Sequence, residues 1–80
     1  MKATLKQPRF KYILLELEQE GTKLTQQEIA RRLGVSQEAV SKWFRGDTTP
    51  TLTKAFALSK ILERPIEDLY EVVYEEDEGQ

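Results

Sequence analysis

The chain has no cysteine and no histidine in its 80 residues. Their absence excludes disulfides, Cys/His zinc sites and haem ligation. It also excludes any catalytic unit built on a Ser-His-Asp or Cys-His arrangement. Carboxylates, lysine, serine, threonine and tyrosine are all that remain for chemistry. Glycine is scarce and isolated, at positions 21, 34, 46 and 79, so no phosphate-cradling loop exists. No apolar run approaches the roughly 18 residues of a membrane span, and no signal-peptide pattern opens the chain. The expectation is a soluble, intracellular, single-domain protein with no metal or cofactor. A chain this short hides only about 60% of its unfolded surface, too little for both a core and a deep substrate cleft. An enzyme is therefore not expected.

Charge is present in quantity but unevenly. Twelve basic residues stand against fourteen acids, a net of −2. All twelve basic residues lie in 1–64 with seven of the acids, a net of +5. Residues 65–80 carry the other seven acids and no base, a net of −7. The split predicts a basic surface followed by an acidic end.

Apolar periodicity predicts five helices. Residues 1–7 have no clear period and are expected to be a flexible segment, or an edge strand at most. Pro8 suits the first turn of a helix over 9–20, where Phe10, Ile13, Leu14 and Leu17 form a stripe. Thr25-Gln26-Gln27-Glu28 is a capping box: Thr25 accepts from the Glu28 backbone N–H while the Glu28 side chain reaches back. Ile29, Ala30 and Leu33 follow as an apolar face, and Gly34 ends that helix. Ser36 caps a third helix carrying Val40, Trp43 and Phe44, which Gly46 stops. The position of Trp43 in that stripe places it in the core rather than against a base.

Residues 47–50 form a turn. A fourth helix spans about 51–62, with Leu52, Ala55, Phe56, Ser59 and Leu62 on its inner face, helped by Leu58 and Ile61. Pro65 starts a short fifth helix over 65–71. Val72, Val73 and Tyr74 fit either its frayed end or a short strand paired with residues 2–6. The polar residues 75–80 read as an acidic disordered tail. The compact domain is then 8–74, an all-α unit with a possible C-terminal strand.

The spacing from Thr25 to Gly46 carries the functional signal. Two short helices joined by Gly34-Val35-Ser36 must cross steeply, which is a helix-turn-helix arrangement at about 25–45. Small Ala30 lets the backbones approach. The second helix then projects from the body, with the width that a DNA major groove accepts. TQQEIARRLGVSQEAVSKWFRG followed by PTLTKAFALSKILERPIEDLY resembles the lambda-repressor/Cro family, also called Cro/C1-type or XRE, over residues 9–70. Gln26, Ala30, Gly34, Val40, Ser41 and Gly46 match its pattern, while Phe44 stands where many members have Glu. The resemblance implies sequence-specific binding of double-stranded operator DNA, commonly as a homodimer, in a prokaryotic or phage-encoded regulator of the cytoplasm and nucleoid. Repression is the simplest outcome.

Base-reading candidates are Gln37, Glu38, Ser41 and Lys42. A glutamine amide binds adenine N6 and N7 together. Glu38 suits either a cytosine N4 or the positive end of its own helix. Lys42 reaches a guanine or a phosphate. Gln26, at a helix N-terminus, is a phosphate candidate. Arg45, Thr48, Thr49 and Lys54 lie where the family approaches the next phosphates. Arg31 and Arg32 read as solvated surface. Tyr70, Val72, Val73 and Tyr74 exceed what the core needs, and the family's use of this region implies a dimer contact. An antitoxin-like autorepressor, and a protein-interaction module on the same scaffold with a partner for the acidic tail, are the competing readings.

Overall fold

The computed structural model describes residues 1–76. Their order is β1 (Lys2–Pro8), α1 (Phe10–Gln19), α2 (Gln26–Leu33), α3 (Gln37–Arg45), α4 (Leu52–Leu62), a 3-10 turn (Ile66–Asp68) and β2 (Tyr70–Glu75). Four α-helices and a two-stranded antiparallel sheet thus replace the expected five helices. The predicted fifth helix shrinks to one turn. Pro65 stays extended, with ψ 149°, so the turn starts without a preceding helical residue. At its far end the Leu69 carbonyl accepts from the Arg9 N–H at 2.9 Å, and the β-branched pair Val72-Val73 continues as strand.

The N-terminal segment is the partner of that strand rather than a flexible lead. Lys2 faces Glu75, Ala3 faces Tyr74, Thr4 faces Val73 and Leu5 faces Val72, with a slip before Pro8 meets Tyr70. Pro8 therefore closes β1 instead of opening α1. A residue without an N–H is tolerated at such a strand end. The expected tail also starts late, because Glu75 belongs to the ladder; residues 77–80 of it lie outside the described residues.

Helix boundaries follow the local chemistry. The hydroxyls of Thr25, Ser36 and Thr51 each accept a backbone N–H three residues on, from Glu28 (3.1 Å), Ala39 (3.1 Å) and Lys54 (3.3 Å). Gly34 and Gly46 close α2 and α3 in the left-handed region, with φ of 70° and 83°. At Gly46 a Cβ would also stand 3.4 Å from Pro8 Cδ, so β1 crowds this corner. Glu63 ends α4 with φ 54° and no glycine's freedom. The neighbouring Arg64 is held instead by Glu16 (3.5 Å) and Glu20 (3.2 Å) of α1 and its following turn.

The core joins Phe10, Ile13 and Leu17 of α1 to Ile29, Ala30, Val40 and Trp43 of the central helix pair and to Leu58, Leu62 and Leu69. Trp43 is buried, as its stripe predicted. The face predicted for α4 is turned. Leu58 and Leu62 go inward, while Leu52 (70% exposed) and Phe56 (55%) stay outside. Phe10 is fully buried. Its ring meets Phe44 of α3 at 5.3 Å and Tyr70 of β2 at 5.4 Å, the second edge-on at 81°. Burial pushes the Tyr70 hydroxyl up in pKa, and the nearby Thr49 hydroxyl offsets this in part. By distance and angle, that buried hydroxyl has no hydrogen-bond partner among the described residues.

Two substitutions test this packing by urea denaturation. Phe10→Ala is expected to cost about 3–5 kcal/mol, since it empties a site shared by three elements. Tyr70→Phe is expected to leave stability unchanged or raise it by about 1 kcal/mol, because it removes a hydroxyl with no partner.

Candidate nucleic-acid interface

Helices α2 and α3 pack through Ile29 and Ala30 against Val40, all buried. The three-residue turn between them is fixed by the Gly34 N–H on the Arg31 carbonyl (3.3 Å) and the Val35 N–H on the Ala30 carbonyl (3.1 Å). With its inner side committed to the core, α3 offers Gln37, Glu38, Lys42 and Arg45 to solvent, and Ser41 in part. Gln37, Ser41 and Arg45 form one i, i+4 row; Glu38 and Lys42 form the row beside it.

The capping box is half made. The Thr25 hydroxyl accepts from the Glu28 N–H as predicted, but the Glu28 carboxylate does not turn back to Thr25. It takes two hydrogen bonds from Arg31 and one from Arg32 at 3.1 Å. These bonds, Arg31's first and Arg32's second, pull its pKa down to about 2. Arg31 and Arg32 are thereby engaged with a carboxylate on their own helix, in keeping with a surface role.

Gln26 opens α2 and lines an open cleft of about 460 Å³ with Lys11 of α1 and Ser41, Phe44 and Arg45 of α3. The structure thus brings Gln26 to the same recess as Ser41 and Arg45 of that row, while Gln37 lies outside its lining. Lys11 was not singled out from sequence, because a lone lysine on the outer side of a helix carries no pattern. Asp47 was also passed over as a turn residue. Its carboxylate accepts from Arg45 Nε at 2.9 Å, while Arg45 Nη1 donates to the Ser41 hydroxyl at 2.8 Å. Lys42 and Lys54 have no ion-pair partner among the described residues.

The remaining candidates separate. The Thr48 N–H reaches the Lys42 carbonyl at 3.5 Å and stays with α3. Thr49 instead lines an apolar groove of about 310 Å³ with Leu5, Leu52, Ala55, Ile66 and Val72. Tyr70, Val72 and Tyr74 alternate along β2 on one face, and Val73 points to the other. Tyr74 is 62% exposed. No cluster of three or more metal-ligating side chains occurs among the described residues, and none of their helices is long and apolar enough to cross a membrane.

Four short helices, with a tight three-residue turn before an exposed, polar third helix, define a helix-turn-helix protein. The family model described as "Helix-turn-helix" matches residues 21–69. The chain belongs to that family, in its Cro/C1 (XRE) type, a family of DNA-binding domains in transcription regulation. It is 49% identical over 41 residues to the HTH-type transcriptional regulator DicA of Escherichia coli, covering 51% of this chain and 30% of DicA. It is 38% identical over 55 residues to an uncharacterized HTH-type transcriptional regulator of Methanocaldococcus jannaschii, covering 69% of this chain and 80% of the relative. An Archaeoglobus fulgidus protein of the same description is 31% identical, with 69% and 75% covered. The chain therefore spans less than a third of DicA's length and most of each archaeal relative. No solved structure matches it.

The depressed Glu28 pKa fixes a pH dependence. A carboxylate held below its ordinary 4.5 stabilises the fold above that pH, and the contribution is lost as pH falls toward 2. Urea midpoints of the wild type and Glu28→Gln are expected to differ at pH 7 and to converge near pH 2, with the pH 7 gap narrowed by salt.

Proposed function

We propose that the chain is a sequence-specific regulator of transcription that places α3 in the major groove of operator DNA, most simply as a repressor. The observation that carries this reading is the polar row Gln37–Ser41–Arg45 on the exposed side of α3, with Ser41 and Arg45 sharing a recess with Gln26. Gln37 sits in the first turn of α3, the end that enters the groove in helix-turn-helix docking. It reads adenine, with Ser41 next to it. Glu38 and Lys42 read from the neighbouring row. Gln26, Thr48 and Lys54 hold phosphates and set the register, while Thr49 lies in the apolar groove instead. Arg45 is at the phosphate end of α3 by position and over Ser41 by side chain. The site of action is the cytoplasm and its nucleoid.

The dimer belongs to the same reading. Tyr70, Val72 and Tyr74 with Leu5 make one apolar face of the sheet, and Leu52 and Phe56 of α4 extend the exposed apolar surface. Two copies related by a twofold axis cover these residues and set the two α3 helices about 34 Å apart, one turn of DNA. Val73, on the opposite face of β2, adds to the contact at its edge. Sedimentation at high concentration is expected to show a dimer for the wild type and a monomer for Phe56→Glu. A monomeric wild type with and without DNA would remove the dimer from the proposal.

Selection from random duplexes tests the DNA reading. Gln37→Ala is expected to weaken the selected site by about 1–3 kcal/mol and to change random DNA little. Lys54→Ala is expected to weaken both and to reduce the salt slope by about one. A protein that selects no sequence, and whose binding to random DNA does not fall with salt, is an interaction module instead.

A further inference from the structure

Arg45 is not a free cation at the edge of α3. Its Nε donates to Asp47 Oδ2 at 2.9 Å and its Nη1 to the Ser41 hydroxyl at 2.8 Å. Both charged side chains are about half exposed, at 54% and 55%, so the pair lies on the surface rather than in the core. The two bonds have opposite effects on reach. Asp47 lies beyond the helix end, while Ser41 lies one turn back toward Gln37. Held by both, the guanidinium folds along α3 over Ser41 instead of extending past the C-terminus, where the loop phosphate contacts are expected.

Asp47 is itself fixed by the fold. Its backbone N–H donates to the Lys42 carbonyl at 2.9 Å, directly after the left-handed Gly46 that Pro8 of β1 crowds. The carboxylate is thus carried by an anchored residue. An exposed ion pair of this kind contributes little to stability, and a carboxylate beside a DNA-binding helix repels phosphate. Its position is accounted for by what it does to Arg45. A guanidinium has five N–H donors. Asp47 takes the Nε hydrogen and Ser41 one on Nη1, which leaves donors on Nη1 and Nη2, the two nitrogens whose end-on pair matches the O6 and N7 acceptors of guanine. A side chain already immobilised loses less freedom on docking than a solvated one.

We infer that Asp47 is a specificity-determining positioning residue, which holds Arg45 over Ser41 so that Arg45 reads a guanine edge in line with Gln37. This rests on the DNA-binding reading above. It reassigns Arg45 from a phosphate contact to a base contact. It also separates two effects of Asp47: the pre-set arginine raises discrimination, while repulsion of phosphate weakens the selected and the random duplex alike.

The test compares the wild type, Asp47→Asn and Arg45→Lys on the duplex that the wild type selects and on random duplex, each at two salt concentrations. Circular dichroism melts confirm folding. Asp47→Asn is expected to weaken the selected site about tenfold, a loss of about 1.4 kcal/mol, while random-DNA binding holds or rises. Arg45→Lys keeps the charge but loses the fork, and is expected to lose selected-site affinity alone. Reselection with Asp47→Asn is expected to lose a guanine at one position of each half-site. An equal rise on both duplexes would show Asp47 to be a repelling charge only, and an unchanged ratio would equally overturn the inference. If the wild type selects no sequence, the DNA reading fails and this one with it. If the wild type selects a site whose preference Asp47→Asn retains, the positioning role alone fails.

Discussion

The buried ring of Phe10 is the contact on which the rest of the structure turns. It lies at the start of α1, between Phe44 of α3 and Tyr70 of β2. Those three residues come from the beginning, middle and end of the domain. Aromatic rings pack edge-on or tilted at such distances, so the angle between elements is set along with their spacing. The orientation of α3 is therefore tied to the sheet, whose first strand also packs at the end of α3 through Pro8. Phe44, in place of the glutamate common in the family, makes that tie apolar and extends the core toward the cleft lined by Gln26 and Ser41.

Electrostatics follow a similar division between what is committed and what is left over. The net charge of −2 conceals a basic body, but several of its arginines are occupied. Arg31 and Arg32 share Glu28, Arg64 lies between Glu16 and Glu20, and Arg45 meets Asp47. Lysines 11, 42 and 54 have no such partner among the described residues and lie on or beside the candidate interface. The charge that a polyanion would meet is thus smaller than the composition suggests and more localised. That distribution favours register and discrimination over indiscriminate attraction.

Much of the fold was legible where the determinants are local. Thr25, Ser36, Gly34 and Gly46 mark helix ends by chemistry that acts within four residues, and each lies where its type predicts. The sheet was half legible. Val72-Val73-Tyr74 suggested either a frayed helix end or a strand paired with residues 2–6, and the structure makes the strand; with no period of its own, 1–7 did not decide between them. Helix α4 was misread for another reason. Leu52, Ala55, Phe56, Leu58, Ile61 and Leu62 leave it apolar on nearly every side, so periodicity chose no single face, and packing on Leu58 and Leu62 decided the matter. The candidate site divides in the same way. The Gln37–Ser41–Arg45 row follows from helical spacing alone. The Asp47 contact and the arrival of Lys11 beside Gln26 depend on side-chain placement that spacing does not encode.

The ladder that sets Lys2 opposite Glu75 closes a loop of almost the whole described chain. Closing a loop that long in an unfolded polymer loses entropy without any nearby contact to offset it. The α2–α3 pair needs only neighbours in sequence. Topology of this kind separates a locally wired helix pair from a brace whose two strands meet only once the helices have drawn the ends together. The same ladder makes the first and last described residues neighbours in space, so tension applied between the two ends would unzip the sheet pair by pair, starting at Lys2 and Glu75, before it reached any helix.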